Sequence, residues 1–369
     1  MLTALNNRQK KISLTRLSSE EITLLKEQEF FCPECCSPLI LKAGDIKVPH
    51  FAHKSRTHCE GRHEPETFHH LRGKAILFQH FSSFIPYVAL ERYLADIHQR
   101  PDIFIHFGGR NFALEYQCTP ISSTEFTKRT KGYMNAGIEP IWILGKRVKA
   151  KGAKTLVLSN FQQCFIRFSP HAGYWIAYFD SHSKNMYFFY NLSPVSSNIF
   201  TSETLTLHYT SIPFPFTLPC KNDTENHFLA SKDSWINSKM TYNRGVNDPF
   251  LKSLYLNRDH LMDLPDFIGL QTEHTLLFKS HPIEWQYYIW SDVLKKKNKG
   301  SRIMVEEVKS CLRNRLNSGL IHLRILPLTD NKLKNQALEE YLLLLEKRDI
   351  IKKVSGKEYI LLSPHTKYH

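Results

Sequence analysis

Hydrophobic positions form short apolar runs cut by glycine and proline up to about residue 192, and recur at helical spacing from about residue 251 onward. The sharpest of the short runs is RPDIFIHFGGRNFALEYQ, Arg100 to Gln117. Ile103, Phe104, Ile105 and Phe107 predict one strand, and Phe112, Ala113, Leu114 and Tyr116 the next. Gly108-Gly109 supplies the positive φ that a two-residue hairpin turn requires. With those glycines as the loop, residues whose numbers sum to 217 face each other. Phe107 then meets Arg110, and Asp102 meets Glu115. Like charges directly opposite on a sheet repel, so this register calls for something positive between them.

Around the hairpin the pattern predicts a helix from about Glu64 to Phe81 and a strand within IPYVALERYL. Ser122 and Glu125 have capping-box spacing and start a second helix that runs to about Ala136, with Gly137 as its C-terminal glycine. Ile141–Leu144, IWIL, sits between Pro140 and Gly145 and reads as a buried strand. That order describes an α/β domain on a mixed sheet flanked by helices, extending through LVLSNFQQCFI and the aromatic hairpin YWIAYFDSHSKNMYFFY. Residues 1 to about 25 read as a strand and a short helix, and Phe30 to Gly61 as short β segments. From Leu192 to about Asn247 the chain is rich in Ser, Thr, Asn and Pro and reads as a connection. Beyond it, HPIEWQYYIWSDVLKKK, RIMVEEVKSCLRNRL and ALEEYLLLLEKRDIIKKV predict helices that end in a small hairpin at Ser355-Gly356. This is a mainly helical, winged-helix-like region, with a plain helical bundle as the alternative. The expected division is 1–61, 62–192, 193–250 and 251–369.

Composition adds a sign to this picture. Lys and Arg number 49 against 35 Asp and Glu, a formal net charge of +14 that favours a polyanion such as DNA as partner. No apolar run reaches the roughly 18 residues of a membrane span. The opening MLTALNNRQKKISL lacks the apolar stretch of a secretory signal, so a cytoplasmic location is expected.

Cys32, Cys35, Cys36 and Cys59 crowd the first sixty residues, while the other four cysteines are isolated. In a reducing compartment such clustering points to metal rather than disulfides. Cys32-Pro-Glu-Cys35 is a C-x2-C turn that sets two thiolates on one side of a tight loop. The expected set is Cys32, Cys35, His53 and Cys59 around a structural Zn2+, with His50 as substitute and Cys36 as bystander. His50 and His53 lie on opposite faces of an extended segment, so only one reaches the ion.

The facing acids suit a second, harder ion. Mg2+ or Mn2+ takes carboxylate oxygens and leaves positions for water and phosphate. Gln117 shares the strand face of Glu115, and Glu66, His70 and Lys74 fall at i, i+4 and i+8 on one helical stripe. Phosphodiester hydrolysis fits this set, since a metal polarises the phosphate and lowers the pKa of an attacking water. Asp102 and Glu115 are the expected ligands, Glu66 completes the site, and Gln117 hydrogen-bonds the nucleophile. Lys74, Lys128 or Arg129 supplies positive charge. Lys128, Arg129 and Tyr133 are candidate DNA contacts, although Glu125 and Arg129 also have the spacing of an ordinary surface ion pair.

Taken together, CPEC…HFAH…C, the Glu66-His70-Lys74 helix, RPDIFI…FALEYQ, RTKGY and IWILG resemble the competence protein CoiA family. The likeness runs in order from about residue 1 to 190, and the C-terminal half resembles the family only in length and general character. The resemblance implies an N-terminal zinc-binding segment and a restriction-endonuclease-like, PD-(D/E)XK core. It further implies action on incoming single-stranded or branched DNA during natural transformation, alongside recombination proteins. Carried over, the motif falls on Asp102, Glu115 and Gln117, with Glu66 on the leading helix. Gln117 stands where the general motif has lysine, which leaves a non-cleaving DNA-binding or recruitment protein on the same scaffold as the alternative.

Overall fold

A computed structural model describes residues 1–44, 48–54, 59, 67–152, 154–222, 225–242, 245–330 and 332–363. The chain forms two compact units. One contains Met1–Lys149, Cys164–Tyr190 and Thr204–Pro219, and the other Ala150–Gln163, Asn191–Glu203 and Cys220–His369.

The first unit opens with an antiparallel sheet. Its strands are β1 (Thr3–Asn6), β2 (Lys11–Ser13), β3 (Phe30–Phe31), β4 (Pro38–Lys42) and β5 (His50–His53), in the order β2-β1-β3-β4-β5. Helix α1 (Ser19–Leu24) starts at a capping box in which Ser18 and Glu21 satisfy each other's backbone N–H groups. Ala4, Leu14, Ile22, Phe30, Leu39 and Phe51 fill the small core beneath.

Helix α2 (Phe68–Ser82) then leads into a larger mixed sheet. Thr67 caps it by accepting a hydrogen bond from His70 N at 3.3 Å. Strands β6 (Tyr87–Leu90), β7 (Ile103–Phe107) and β8 (Arg110–Gln117) form an antiparallel meander. Helix α3 (Ser123–Asn135) crosses over to β9 (Ile138–Leu144), which pairs parallel to β8. Strand Gly173–Asp180 continues parallel to β9 and pairs antiparallel with the strand that starts at Asn185. The hairpin register is the one the glycines dictate. Phe107 faces Arg110, Ile103 faces Leu114, and Gly108 and Gly109 have φ of 58° and 72°. Leu77, Phe81, Ile103, Ile105, Leu114 and Ile143 are buried between α2 and the sheet.

The stretch expected to be a connection departs from that expectation. Ile199–His208 is a strand and Glu225–Tyr242 a helix. Thr, with its β-branched side chain, favours strands, and alternate residues of Ile199–Ser202 are buried, so the polar composition concealed a period of two. The end of the second unit runs helix Pro282–Ile289, strand Arg302–Met304, helices Val305–Asn317 and Leu333–Lys347, then a hairpin of Ile351–Ser355 and Glu358–Leu361. The three strands pair as a small antiparallel sheet, a winged-helix-like arrangement. Among the described residues no helix is long and apolar enough to cross a membrane.

Candidate functional site

The Cys32–Cys35 turn closes through two backbone hydrogen bonds, Cys36 N to Cys32 O at 3.0 Å and Cys32 N to Ser37 O at 2.9 Å. Cys36 takes a positive φ of 54° to turn the chain, and its thiol lies outside the cluster. Strand β5 pairs with β4 so that His53 faces Leu39 and His50 faces Lys42. His53 reaches the turn, whereas His50 turns its Nδ1 to Val48 O at 2.9 Å. The ligand atoms of Cys32, Cys35, His53 and Cys59 lie within 4.8 Å of one another. Cys32 Sγ is 4.0 Å from Cys59 Sγ, and Cys35 Sγ is 3.4 Å from His53 Nε2. A tetrahedral zinc with ordinary bond lengths needs about 3.8 Å between sulfurs and about 3.5 Å from sulfur to nitrogen. The donor set therefore fits that ion. Burial alone would raise the Cys35 thiol, but hydrogen bonds from Ser37, His53 and Cys59 bring it down to about 6, the thiolate side of neutrality.

The carboxylate pair is built differently. Gly73 lets α2 approach β8, because a Cβ there would lie 2.2 Å from Tyr116 Cε1. The close approach brings His70 and Lys74 to Asp102. His70 Nε2 is 3.1 Å from Asp102 Oδ2, which also accepts from Tyr116 N at 2.9 Å, and Lys74 Nζ is 3.4 Å from Oδ1. Burial alone would raise the Asp102 carboxyl. The His70 imidazole and Lys74 ammonium override it and hold the group well below the usual range.

Across the strand, α3 packs on β9 through Phe126 stacked on Trp142 at 4.1 Å. Trp142 is the parallel partner of Glu115. Arg129 and Tyr133, one helical turn apart, therefore reach Glu115, and both donate to its Oε1. Burial pushes the Glu115 carboxyl up, Arg129 opposes this, and Asp102 adds to it. Arg129 thus turns inward to a buried acid, away from the surface role that its spacing from Glu125 offered. Glu115 Oε2 accepts no hydrogen bond among the described residues. Gln117 donates to Thr119 O at 2.9 Å, which occupies its amide nitrogen and leaves its oxygen as an acceptor. Glu66 lies outside the described residues. Lys128 is exposed on α3 and does not meet the carboxylates.

The repulsion read from the hairpin is thus answered by protein cations on each acid. One oxygen of Glu115, together with Asp102 Oδ1, keeps lone pairs suited to a hard divalent ion.

Two links escaped the sequence reading. Glu91, buried at the end of β6, binds Lys74 Nζ at 2.6 Å and accepts from Leu2 N, Thr3 N and Thr3 Oγ1. Burial alone would raise it, yet the Lys74 ammonium keeps it well below the ordinary carboxylate value. Lys74 is therefore a buried bridge between Glu91 and Asp102. Glu34, inside the C-x2-C turn, pairs with Arg100 Nε at 3.0 Å, two residues before Asp102. A lone acid closing the apolar run YVAL was the available signal for Glu91; nothing in the sequence marked Glu34 or Arg100.

Three family models match this chain in order. They describe the N-terminal domain of competence protein CoiA (residues 14–62), its nuclease-like domain (66–220) and its C-terminal domain (224–369). The chain belongs to the CoiA family. The third match corrects the expectation that the C-terminal half resembles the family only in general character. Competence protein CoiA of Bacillus subtilis (strain 168) is 39% identical over 156 residues, which is 42% of this chain and 42% of that relative. No solved structure matches. Asp102, Glu115, Gln117, Arg129 and Tyr133 all fall within the CoiA nuclease-like domain, and the four Cys/His donors within the CoiA N-terminal domain.

Proposed function

We propose that this CoiA-family chain is a metal-dependent deoxyribonuclease that processes incoming DNA, single-stranded or branched, in natural transformation. The observation that carries the reading is the register of the β7–β8 hairpin, whose last pair, Ile103 with Leu114, brings the chain to Asp102 and Glu115, with Gln117 one face-repeat further on, inside a nuclease-like domain. Asp102 and Glu115 would hold Mg2+ or Mn2+. Such an ion polarises a scissile phosphate and acidifies an attacking water. Gln117 offers its amide oxygen to orient that water. Lys74 keeps Asp102 ionised, and Arg129, released from Glu115, can take a phosphate oxygen. Cys32, Cys35, His53 and Cys59 would hold a structural Zn2+ that keeps the N-terminal sheet folded.

A second reading has its own support. Gln117 cannot supply the charge of a motif lysine, and Glu115 is already paired with Arg129 and Tyr133. This suits a protein that holds DNA without cutting it and recruits recombination proteins. Labelled single-stranded, duplex and branched DNA incubated with Mg2+, Mn2+ or chelator separates the two. Cleavage that needs metal and disappears in both Asp102→Ala and Glu115→Ala supports the nuclease. Tight, salt-sensitive binding with no cleavage under any ion supports the holder.

A further inference from the structure

Five exposed cations lie on the segment after β9 and on α3, which packs on β9. Strands β8 and β9 run parallel and end together, Gln117 beside Leu144, with Gly145 N bonded to Gln117 O at 2.8 Å. The chain then reads Lys146-Arg147-Val148-Lys149. Val148 is buried at 5% exposure and pins the segment, so the three flanking cations face solvent. Helix α3 adds Lys128 and Lys131, both exposed. None of these five side chains is ion-paired among the described residues. Of the acids around them, Glu115 pairs with Arg129 and Glu139, at the opposite end of β9, with Arg110 and Arg167, while Asp180, at the end of the strand beside β9, accepts from His182 N and Ser183 Oγ, and Glu125 stands one turn before Lys128.

We infer that Lys146, Arg147 and Lys149, with Lys128 and Lys131, form a phosphate-backbone track that lays single-stranded DNA across the carboxyl ends of β8 and β9. This rests on the proposed DNA-processing function and names the surface that delivers the strand to it. Open α/β sheets bind ligands at the carboxyl ends of their parallel strands, and here that end carries Glu115 and Gln117. Cations without a salt-bridge partner, held on a pinned backbone, release counterions from a polyanion at little conformational cost. The cations are backbone readers, so binding here is indifferent to base sequence.

The test is fluorescence anisotropy of the full chain with a fluorescein-labelled single-stranded oligonucleotide, between about 50 and 200 mM salt. The triple variant Lys146→Ala/Arg147→Ala/Lys149→Ala should bind about ten- to a hundredfold more weakly and lower the slope of log affinity against log salt by about 2. An equal charge loss at the exposed Arg8, Lys10 and Lys26 should leave the slope unchanged, and Lys146→Arg/Lys149→Arg should restore wild-type binding. An unchanged slope in the triple variant, or an equal loss in the distant one, overturns the track while leaving DNA binding in place. A wild-type chain that fails to bind the oligonucleotide at low salt overturns the functional reading itself, and the track with it.

Discussion

The cysteine knuckle and the carboxylate cleft belong to one compact unit and manage their donor atoms in opposite ways. In the knuckle, three thiols and an imidazole converge, and backbone hydrogen bonds close the turn that holds two of them. In the cleft each acid has its own protein cation, Lys74 for Asp102 and Arg129 for Glu115, and His70 Nε2 adds a 3.1 Å contact to Asp102. A soft, closed set of this kind would be held together by an ion and depend on it. A hard set whose charges are already balanced folds without one, and takes an ion only by loosening contacts that the chain supplies itself.

The largest expected effect follows for the knuckle. Chelation, or Cys32→Ser, should unfold the N-terminal sheet, because about 10 kcal/mol or more of binding free energy attaches to a structural zinc. Limited proteolysis before Phe68 reads this directly, and about one zinc per chain should be lost with it. A metal-free chain with the same protease resistance would erase the contrast between the two sites.

Next comes Lys74→Met. It strips a side chain of 1% exposure from between Glu91 and Asp102. Two buried acids are left without their shared cation, and thermal melting should show a loss of about 3–5 kcal/mol. Adding Glu91→Gln should recover part of that loss. Arg129→Ala should cost less, about 1–3 kcal/mol, because the arginine side chain is 25% exposed and water can replace part of its pairing. The same change should tighten Mn2+ binding by freeing Glu115 Oε1, and unchanged affinity would show that arginine and ion do not compete.

The smallest effect is in pH dependence, where the two acids should differ in sign. Asp102 is depressed in the folded chain. Its contribution is present above the ordinary value of 3.8 and is lost as pH falls through the lower folded value. Glu115 is raised, so its contribution is full below the ordinary value of 4.5 and declines as pH rises through the higher folded value. Denaturant midpoints between about pH 3 and 7 should therefore show the deficit of Asp102→Asn shrinking with acidification, and that of Glu115→Gln growing.

The sequence made the hairpin legible because paired glycines admit few alternative registers. It made the knuckle legible because a C-x2-C turn followed by histidine and cysteine has few structural uses. What it withheld was the pairing that distance along the chain conceals. Glu91 joins β1 to α2 by bonds spanning 17 and 88 residues. Arg129 had two acids within reach, Glu125 by helical spacing and Glu115 by sheet geometry, and only the stacking of Phe126 on Trp142 decides between them. The strand at Ile199–His208 was hidden because its serine and threonines read as loop by composition, although threonine also favours strands.

Electron paramagnetic resonance of a Mn2+ titration of the zinc-loaded chain goes most directly to the shared-ion claim. One site is expected, lost in both Asp102→Asn and Glu115→Gln and retained in Arg8→Ala/Lys10→Ala. Mn2+ binding that survives either carboxylate change would contradict it, since the two acids would then not hold a common ion.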